Sequence, residues 1–152
     1  MREILFRGKR FDNGEWVEGY YTKKLCGEYI NNQFMKSEKD FIVTYFSSGG
    51  ITSYEVIPES VGQYTGLKDK NGKEIYEGDV VKAEHDNYYN PEHEEEPEYS
   101  AWIGSIEYEE GYYQINTNCE YRPAINNIRI KTIEVIGNIH DNPELIGGDS
   151  NA

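Results

Sequence analysis

The sequence predicts a mainly β protein, with antiparallel β hairpins in the N-terminal part and a small β-barrel after them. Apolar and polar residues alternate in short runs, which is the period of half-buried strands. Glycine- and asparagine-rich turns separate these runs, and helix signals are scarce. Aromatic residues make up 14% of the chain, with 14 tyrosines, so the chain has the composition of a folded domain.

Two hairpins are predicted in the first 60 residues. Asn13-Gly14 stands between the runs around residues 6–11 and 15–21 and predicts a type I′ turn. The runs at 40–46 and 51–57 flank a glycine-containing tip and predict the second hairpin. Residues 25–39 mix glycine, asparagine and charged residues; a short strand at residues 26–30 is one interpretation of this segment.

The segment 67–81 predicts a tight turn followed by a strand. Asp69-Lys70-Asn71-Gly72 has the composition of a turn, and residues 74–84 form a β run. This segment marks the change from the N-terminal β region, residues 1–66, to the predicted barrel, residues 67–146.

The barrel region contains a third hairpin and a final strand. Runs at 101–108 and 112–117 meet across Glu109-Glu110-Gly111, and residues 128–139 give one long or two short strands. One helical turn is expected near residues 141–145, where a capping residue precedes proline. Several short strands linked by turns are typical of a small barrel.

Two segments lack strand or helix periodicity. Residues 85–99 hold five glutamates and two prolines and predict an exposed acidic loop that includes Glu94, Glu95 and Glu96. The tail, residues 147–152, is small and polar and is expected to fray.

Charge and composition exclude several classes of protein. The net charge of −13 repels phosphate backbones, so direct nucleic-acid binding is not expected unless charge is segregated in space. The two cysteines, Cys26 and Cys119, are far apart and indicate no disulfide framework. The N-terminus has no apolar leader, and apolar runs are too short for a membrane helix, so a protein without membrane contact is expected.

Motifs for phosphate and metal binding fail on spacing. Five residues separate Gly66 from Gly72 where a phosphate-binding loop has four, and Glu74 stands where a hydroxyl should ligate magnesium. His85 and His93 lack the i, i+4 spacing of a helical metal pair. No catalytic serine or cysteine pattern occurs, so neither an enzyme nor a cofactor is expected.

An aromatic set on the third hairpin is the predicted partner-binding surface, together with Glu94, Glu95 and Glu96. Strand alternation places Trp102 on one face with Gly104, Ile106 and Tyr108. Core packing accounts for about half of such aromatics, and those left outside would contact a partner. The aromatic set is Trp102, Tyr108, Tyr112 and Tyr113.

Three stretches of the chain resemble the YopX family of bacteriophage and prophage proteins. The resemblance rests on residues 56–67 (VIPESVGQYTGL) with 69–81 (DKNGKEIYEGDVV), on 6–8 (FRG) with 14–19 (GEWVEG), and on 134–145 (EVIGNIHDNPEL). It implies an all-β protein whose second half is SH3-like, encoded by a phage or prophage and acting in the cytoplasm of a Gram-positive host. It implies no reaction, because the family carries no known catalytic residues.

These observations favour a non-enzymatic accessory protein that binds a host or phage protein and forms a homo-oligomer through exposed strand edges. A second hypothesis is an acidic nucleic-acid mimic that regulates a DNA-binding protein. It would require carboxylates spaced along one rigid face. The third hypothesis, a hydrolase or metal enzyme, would require converging His, Asp and Glu side chains in a pocket.

Overall fold

A computed structural model describes residues 4–86 and 99–146, in which ten strands and two short 3-10 helices occur. The acidic glutamates Glu94, Glu95 and Glu96, His93 and the tail 147–152 lie outside the described residues. Within the described part, no helix has the length and apolar character needed to cross a membrane. The strands are β1 (Phe6–Lys9), β2 (Trp16–Ile30), β3 (Gln33–Tyr45), β4 (Ile51–Glu55), β5 (Gly62–Lys68), β6 (Glu74–Tyr76), β7 (Asp79–Asp86), β8 (Tyr99–Glu109), β9 (Tyr112–Asn116) and β10 (Ile130–Asn138), and the 3-10 helices are Pro58–Ser60 and Pro143–Ile146.

The strands form two antiparallel sheets, with the orders β4-β3-β2-β1-β5-β6 and β10-β7-β8-β9. The mainly β prediction with N-terminal antiparallel hairpins is confirmed. The closed SH3-like barrel is not confirmed, because neither sheet closes on itself in the described residues. The chain divides into two compact units, residues 1–64 and 65–152.

The first hairpin of unit 1 is confirmed, but its predicted two-residue turn is wrong. The last pair of β1 and β2 is Lys9 with Trp16, and Arg10 N–H donates to the carbonyl of Glu15 at 2.8 Å. Gly14 has φ +73°, whereas Asn13 lies outside the left-handed region. The Asn13 side chain instead accepts the Glu15 N–H at 2.9 Å, which stabilises a longer loop.

The second predicted hairpin is also present, as β3 and β4, with Phe41 opposite Glu55 and Tyr45 opposite Ile51. Its tip is held by a hydrogen bond of 2.7 Å from Phe46 N–H to the Gly50 carbonyl. Ile42 and Val56 are buried here and form part of the core of unit 1.

Unit 2 contains the second sheet, in which Val81 and Ala83 of β7 are buried and the alternating Lys82 and Glu84 are exposed. The hairpin across Glu109-Glu110-Gly111 is confirmed, and Glu110 and Gly111 have φ of 56° and 92°. The last strand, β10, is one strand with two irregularities in register. The core consists of Ile75, Val81, Ala83, Ile106, Tyr113 and Ile115.

The predicted turn after Lys68 is confirmed, and a single carboxylate organises it. Asp69 Oδ1 accepts the backbone N–H groups of Asn71 at 2.8 Å and Lys73 at 2.9 Å, while Oδ2 accepts that of Val135 at 3.0 Å. Gly72, with φ +82°, supplies the left-handed residue of the turn. The segment is therefore a structural joint that ties the turn to β10.

Candidate functional site

The structure separates the four predicted aromatic residues of the β8–β9 hairpin. Tyr113 is buried in the core, and Trp102 is half-buried and packed against it. Tyr108 is 54% exposed and lies on the core-facing side, at 4.9 Å from the Tyr113 ring. Tyr112 is exposed on the opposite side of the strand pair. Tyr108 and Tyr112 are therefore the members of the set that can reach a partner.

Trp102 packs in an aromatic stack with His85. Their ring centroids are 3.7 Å apart and nearly parallel, and Tyr121 lies 5.6 Å from Trp102 on a tilted plane. His85 is buried, and its Nδ1 is 3.2 Å from the Asp86 carbonyl. Among the residues that the structure describes, no group of three or more His, Cys, Asp or Glu side chains is arranged to hold a metal ion.

A polar cavity of 420 Å³ opens beside the β8–β9 hairpin. Arg122 Nη1 lies 3.3 Å from both Glu107 Oε2 and Glu109 Oε2, so its guanidinium is held between two carboxylates. The remaining charge of the lining is negative, which suits a basic side chain of a partner. The lining residues are Glu109, Glu110, Tyr112, Gln114, Glu120 and Arg122.

A further exposed feature lies outside the predicted surface: β2 and β3 continue past β1 and β4 as a two-stranded arm, residues 23–39. The pairs run from Lys23 with Asp40 to Ile30 with Gln33. Asn31 and Asn32 form the tip with φ of 51° and 65°, as a two-residue hairpin turn requires. The Asn31-Asn32 pair between two β-prone stretches is the sequence signal by which this hairpin could have been predicted. The short strand predicted at residues 26–30 is the outer half of β2.

The arm carries large apolar side chains on both of its faces. Tyr29 and Phe34 pair across the strands with ring centroids 5.2 Å apart. Phe34 also covers Gly27, where an added Cβ would collide with the ring, so the glycine makes room for the aromatic residue. The exposed fractions are 65% for Leu25, 77% for Tyr29, 46% for Ile30, 54% for Phe34 and 50% for Met35.

The base of the arm is anchored by a polar pair of the half-buried Tyr21 and the buried Asp40. The Tyr21 hydroxyl donates to Asp40 Oδ2, and Asp40 is 8% exposed. Burial, reinforced by the hydrogen bond to the Asp40 carboxylate, raises the pKa of Tyr21 to about 12. This pair stabilises the point at which β2 and β3 leave the rest of the sheet.

Charge on the arm differs from that of the chain as a whole. Residues 23–39 carry four lysines and two glutamates in a chain of net charge −13. Lys39 Nζ lies 3.9 Å from Glu28 and 3.8 Å from Glu55, and Lys24 Nζ donates to Ser53 Oγ at 3.1 Å. Cys26 is half-buried on this arm, and Cys119 is exposed in unit 2; both thiols are free.

Comparison with known proteins identifies the family to which the chain belongs. No curated protein matches it. The crystal structure of protein EF1440 from Enterococcus faecalis is similar to this chain, with 23% sequence identity and a TM-score of 0.46, over 96% of this chain and 99% of its own. The YopX protein family matches residues 5–147, nearly the whole length. The chain therefore belongs to the YopX family.

Proposed function

We propose that this protein is a non-enzymatic protein-interaction module, an accessory protein of a phage or prophage that acts in the cytoplasm of the bacterial host. The arm of residues 23–39 supports this proposal most strongly. Three of its large apolar residues, Leu25, Tyr29 and Phe34, share one face and are 54–77% exposed. Contiguous exposed apolar surface is typical of an interaction site.

The size of the surface supports the same conclusion. An aromatic side chain presents roughly 150–250 Å², so Tyr29 and Phe34 at 77% and 54% exposure present on the order of 200–300 Å² between them. With Leu25 on the same face, this patch reaches the lower end of the range of the largest apolar patches on monomeric proteins, about 300–600 Å². Ile30 and Met35 lie on the opposite face of the arm. Transfer of such a patch out of water is favourable by about 25 cal/mol for each Å², which offsets part of the entropic cost of association.

Two surfaces of unit 2 are proposed as additional contact sites for a partner. Tyr108 and Tyr112 remain exposed, and the cavity beside Tyr112 has an acidic lining that complements a basic side chain. In this proposal unit 2 acts as an SH3-like module with exposed aromatic residues at its contact surface. Glu94, Glu95 and Glu96 would add negative charge to it.

The described cavity is acidic and is suited to binding a basic group. Its lining offers the carboxylates of Glu109, Glu110 and Glu120. Arg122 is engaged by Glu107 and Glu109. A nucleic-acid mimic would need carboxylates that are free to face a basic partner. Glu134 and Asp86 instead form ion pairs with Lys70 and Lys131 of the same chain, so these two carboxylates do not favour that hypothesis.

Affinity capture from host lysate tests the proposal. The tagged full chain is compared with the variant Tyr29→Ser/Phe34→Ser and with the matched control Tyr45→Ser/Phe46→Ser, which removes a tyrosine and a phenylalanine that are 66% and 51% exposed outside the arm. Captured proteins are identified by mass spectrometry and rebound as purified components.

We expect one partner to bind the wild type and the control in stoichiometric amount, and to bind the arm variant at least about tenfold more weakly, a loss of about 1.4 kcal/mol. Equal binding by the arm variant would overturn the arm as the interaction surface. Failure of every purified candidate to bind would overturn the proposed function.

A further inference from the structure

The outer edge of the arm is an open strand edge. β3 pairs with β2 from Gln33 to Val43, but β4 covers its other side only from Phe41, which faces Glu55, to Tyr45. Within the described residues, no strand covers that side of residues 33–39. A row of uncovered backbone N–H and C=O groups is a template for another strand.

The structure shows which backbone groups point out of this edge. The carbonyl of Asp40 accepts the Val56 N–H at 2.9 Å, so the backbone of Asp40 faces the β4 side. Backbone groups alternate in direction along a strand of an antiparallel pair. Phe34, Lys36 and Glu38 therefore present their N–H and C=O groups to the open edge.

We propose that a second copy of this chain pairs with this edge, β3 against β3, in an antiparallel two-fold arrangement centred on Ser37. Each Lys36 then faces Glu38 of the partner subunit, and the two residues exchange backbone hydrogen bonds. The two arms form a continuous four-stranded sheet in the order β2-β3-β3-β2. This inference rests on the proposed function, since it names the first occupant of the same arm.

Charge selects this register over its neighbours. Opposite charges that face each other across antiparallel strands are stabilising, and like charges in that position are destabilising. An axis at Ser37 creates two Lys36–Glu38 pairs, whereas an axis at Lys36 or at Glu38 would place a like charge against itself. The open edge of β2 offers a weaker template, because it contains Gly27, which has no side chain to pair.

The physical cost of a lone arm favours the pairing. A two-stranded ribbon is marginal in water, and three or more strands with an apolar face are needed for stability. Tyr29 and Phe34 lie on one face of the ribbon, and pairing extends that face to four strands. Because the arm carries four lysines and two glutamates, it also lacks the net negative charge that makes two copies of the whole chain repel each other.

Charge exchange between two variants tests the register. Sedimentation velocity over a range of concentrations is measured for the full chain and for Lys36→Glu and Glu38→Lys. Each variant places like charges at both pairs, so we expect its dimer to be at least about tenfold weaker. An equimolar mixture of the two variants restores both opposite-charge pairs and is expected to dimerise as the wild type does.

Lys68→Glu is the control, because it makes the same charge change at an exposed position outside the arm. We expect it to leave the dimer unchanged. A wild type that stays monomeric at its highest soluble concentration overturns the proposal, as does a mixture that associates no better than either variant alone. If the chain is monomeric while capture of a purified partner still depends on Tyr29 and Phe34, this inference fails and the proposed function stands.

Discussion

Asp69 Oδ2 accepts a hydrogen bond from the backbone N–H of Val135 at 3.0 Å, across 66 positions of the chain. The other oxygen of the same carboxylate holds the turn that follows it, through Asn71 and Lys73. One buried side chain thus closes a local turn and joins it to a strand near the other end of unit 2.

Replacement of this carboxylate should destabilise unit 2. In Asp69→Asn the amide nitrogen cannot accept, so at least one of the three N–H groups loses its acceptor in a buried place. We expect a loss of about 1–3 kcal/mol in the free energy of unfolding, measured by urea denaturation. Asp12→Asn, at an exposed ion pair with Arg10, should destabilise the protein much less.

The stabilisation from Asp69 should disappear in acid. Burial alone would raise the pKa of this carboxyl, but the hydrogen bonds from Val135, Lys73 and Asn71 outweigh it and lower the pKa. The unfolded chain therefore takes up the proton at a higher pH than the folded chain does. The difference in stability between wild type and Asp69→Asn should be full at neutral pH and shrink as the pH falls below about 3.9. A difference that is constant down to the folded pKa would contradict this account.

Tyr21 should be among the last of the tyrosines to ionise. Its pKa is raised to about 12 by burial and by the hydrogen bond to Asp40. Because the folded pKa lies above the unfolded value, the stabilisation is complete below about pH 10 and is lost as the pH rises through the folded pKa. The ultraviolet absorbance of tyrosinate, followed as the pH is raised, should show one tyrosine fewer in Tyr21→Phe than in the wild type. The missing tyrosine should be one that ionises at the alkaline end of the titration.

The same variant should weaken the base of the arm at neutral pH. Tyr21→Phe leaves the buried Asp40 carboxylate without its hydroxyl donor, which we expect to cost about 1–3 kcal/mol in urea unfolding. Tyr20→Phe is the matched control on the same strand, because Tyr20 is 55% exposed. A similar loss in both variants would show that the Tyr21–Asp40 contact has no special role.

Gly104 should not tolerate a methyl group. A Cβ at this position would collide with the backbone carbonyl of Asn116 on the neighbouring strand, and backbone cannot rotate away as a side chain can. Gly104→Ala should lose about 1–3 kcal/mol of stability, as overpacked cores do. Gly50→Ala is the control, since its nearest neighbour would be the Phe46 ring at 3.4 Å. Equal thermal midpoints for the two variants would contradict the predicted clash.

The tip of the arm should depend on left-handed backbone at Asn32, whose φ is 65°. Asn32→Gly keeps that conformation available, whereas Asn32→Val makes it strained because the side chain is β-branched. Amide hydrogen exchange should therefore be faster for residues 24–38 in Asn32→Val than in Asn32→Gly, with no change in unit 2. Equal exchange in the two variants would mean that the tip does not hold the arm together.

Much of the fold is predictable because its signals are local. Alternating runs and glycine turns place the β3–β4 and β8–β9 hairpins, and the composition of residues 69–72 identifies a turn. The arm is not predicted, because exposure on both faces removes the apolar alternation by which strands are recognised. The predicted turn at Asn13-Gly14 is wrong because the Asn13 side chain bonds to the backbone within a longer loop.

The family, the β class and the positions of most turns follow from the amino-acid sequence alone, since backbone preferences and strand period are properties of neighbouring residues. Tertiary packing was needed to settle which aromatic residues are buried and which face water, because burial depends on strands that meet across long stretches of chain. It buries Tyr113, leaves Tyr108 and Tyr112 exposed, and extends the arm away from its neighbours. The open edge of β3 likewise depends on the residue at which β4 ends its pairing with β3, and local sequence patterns do not predict that position.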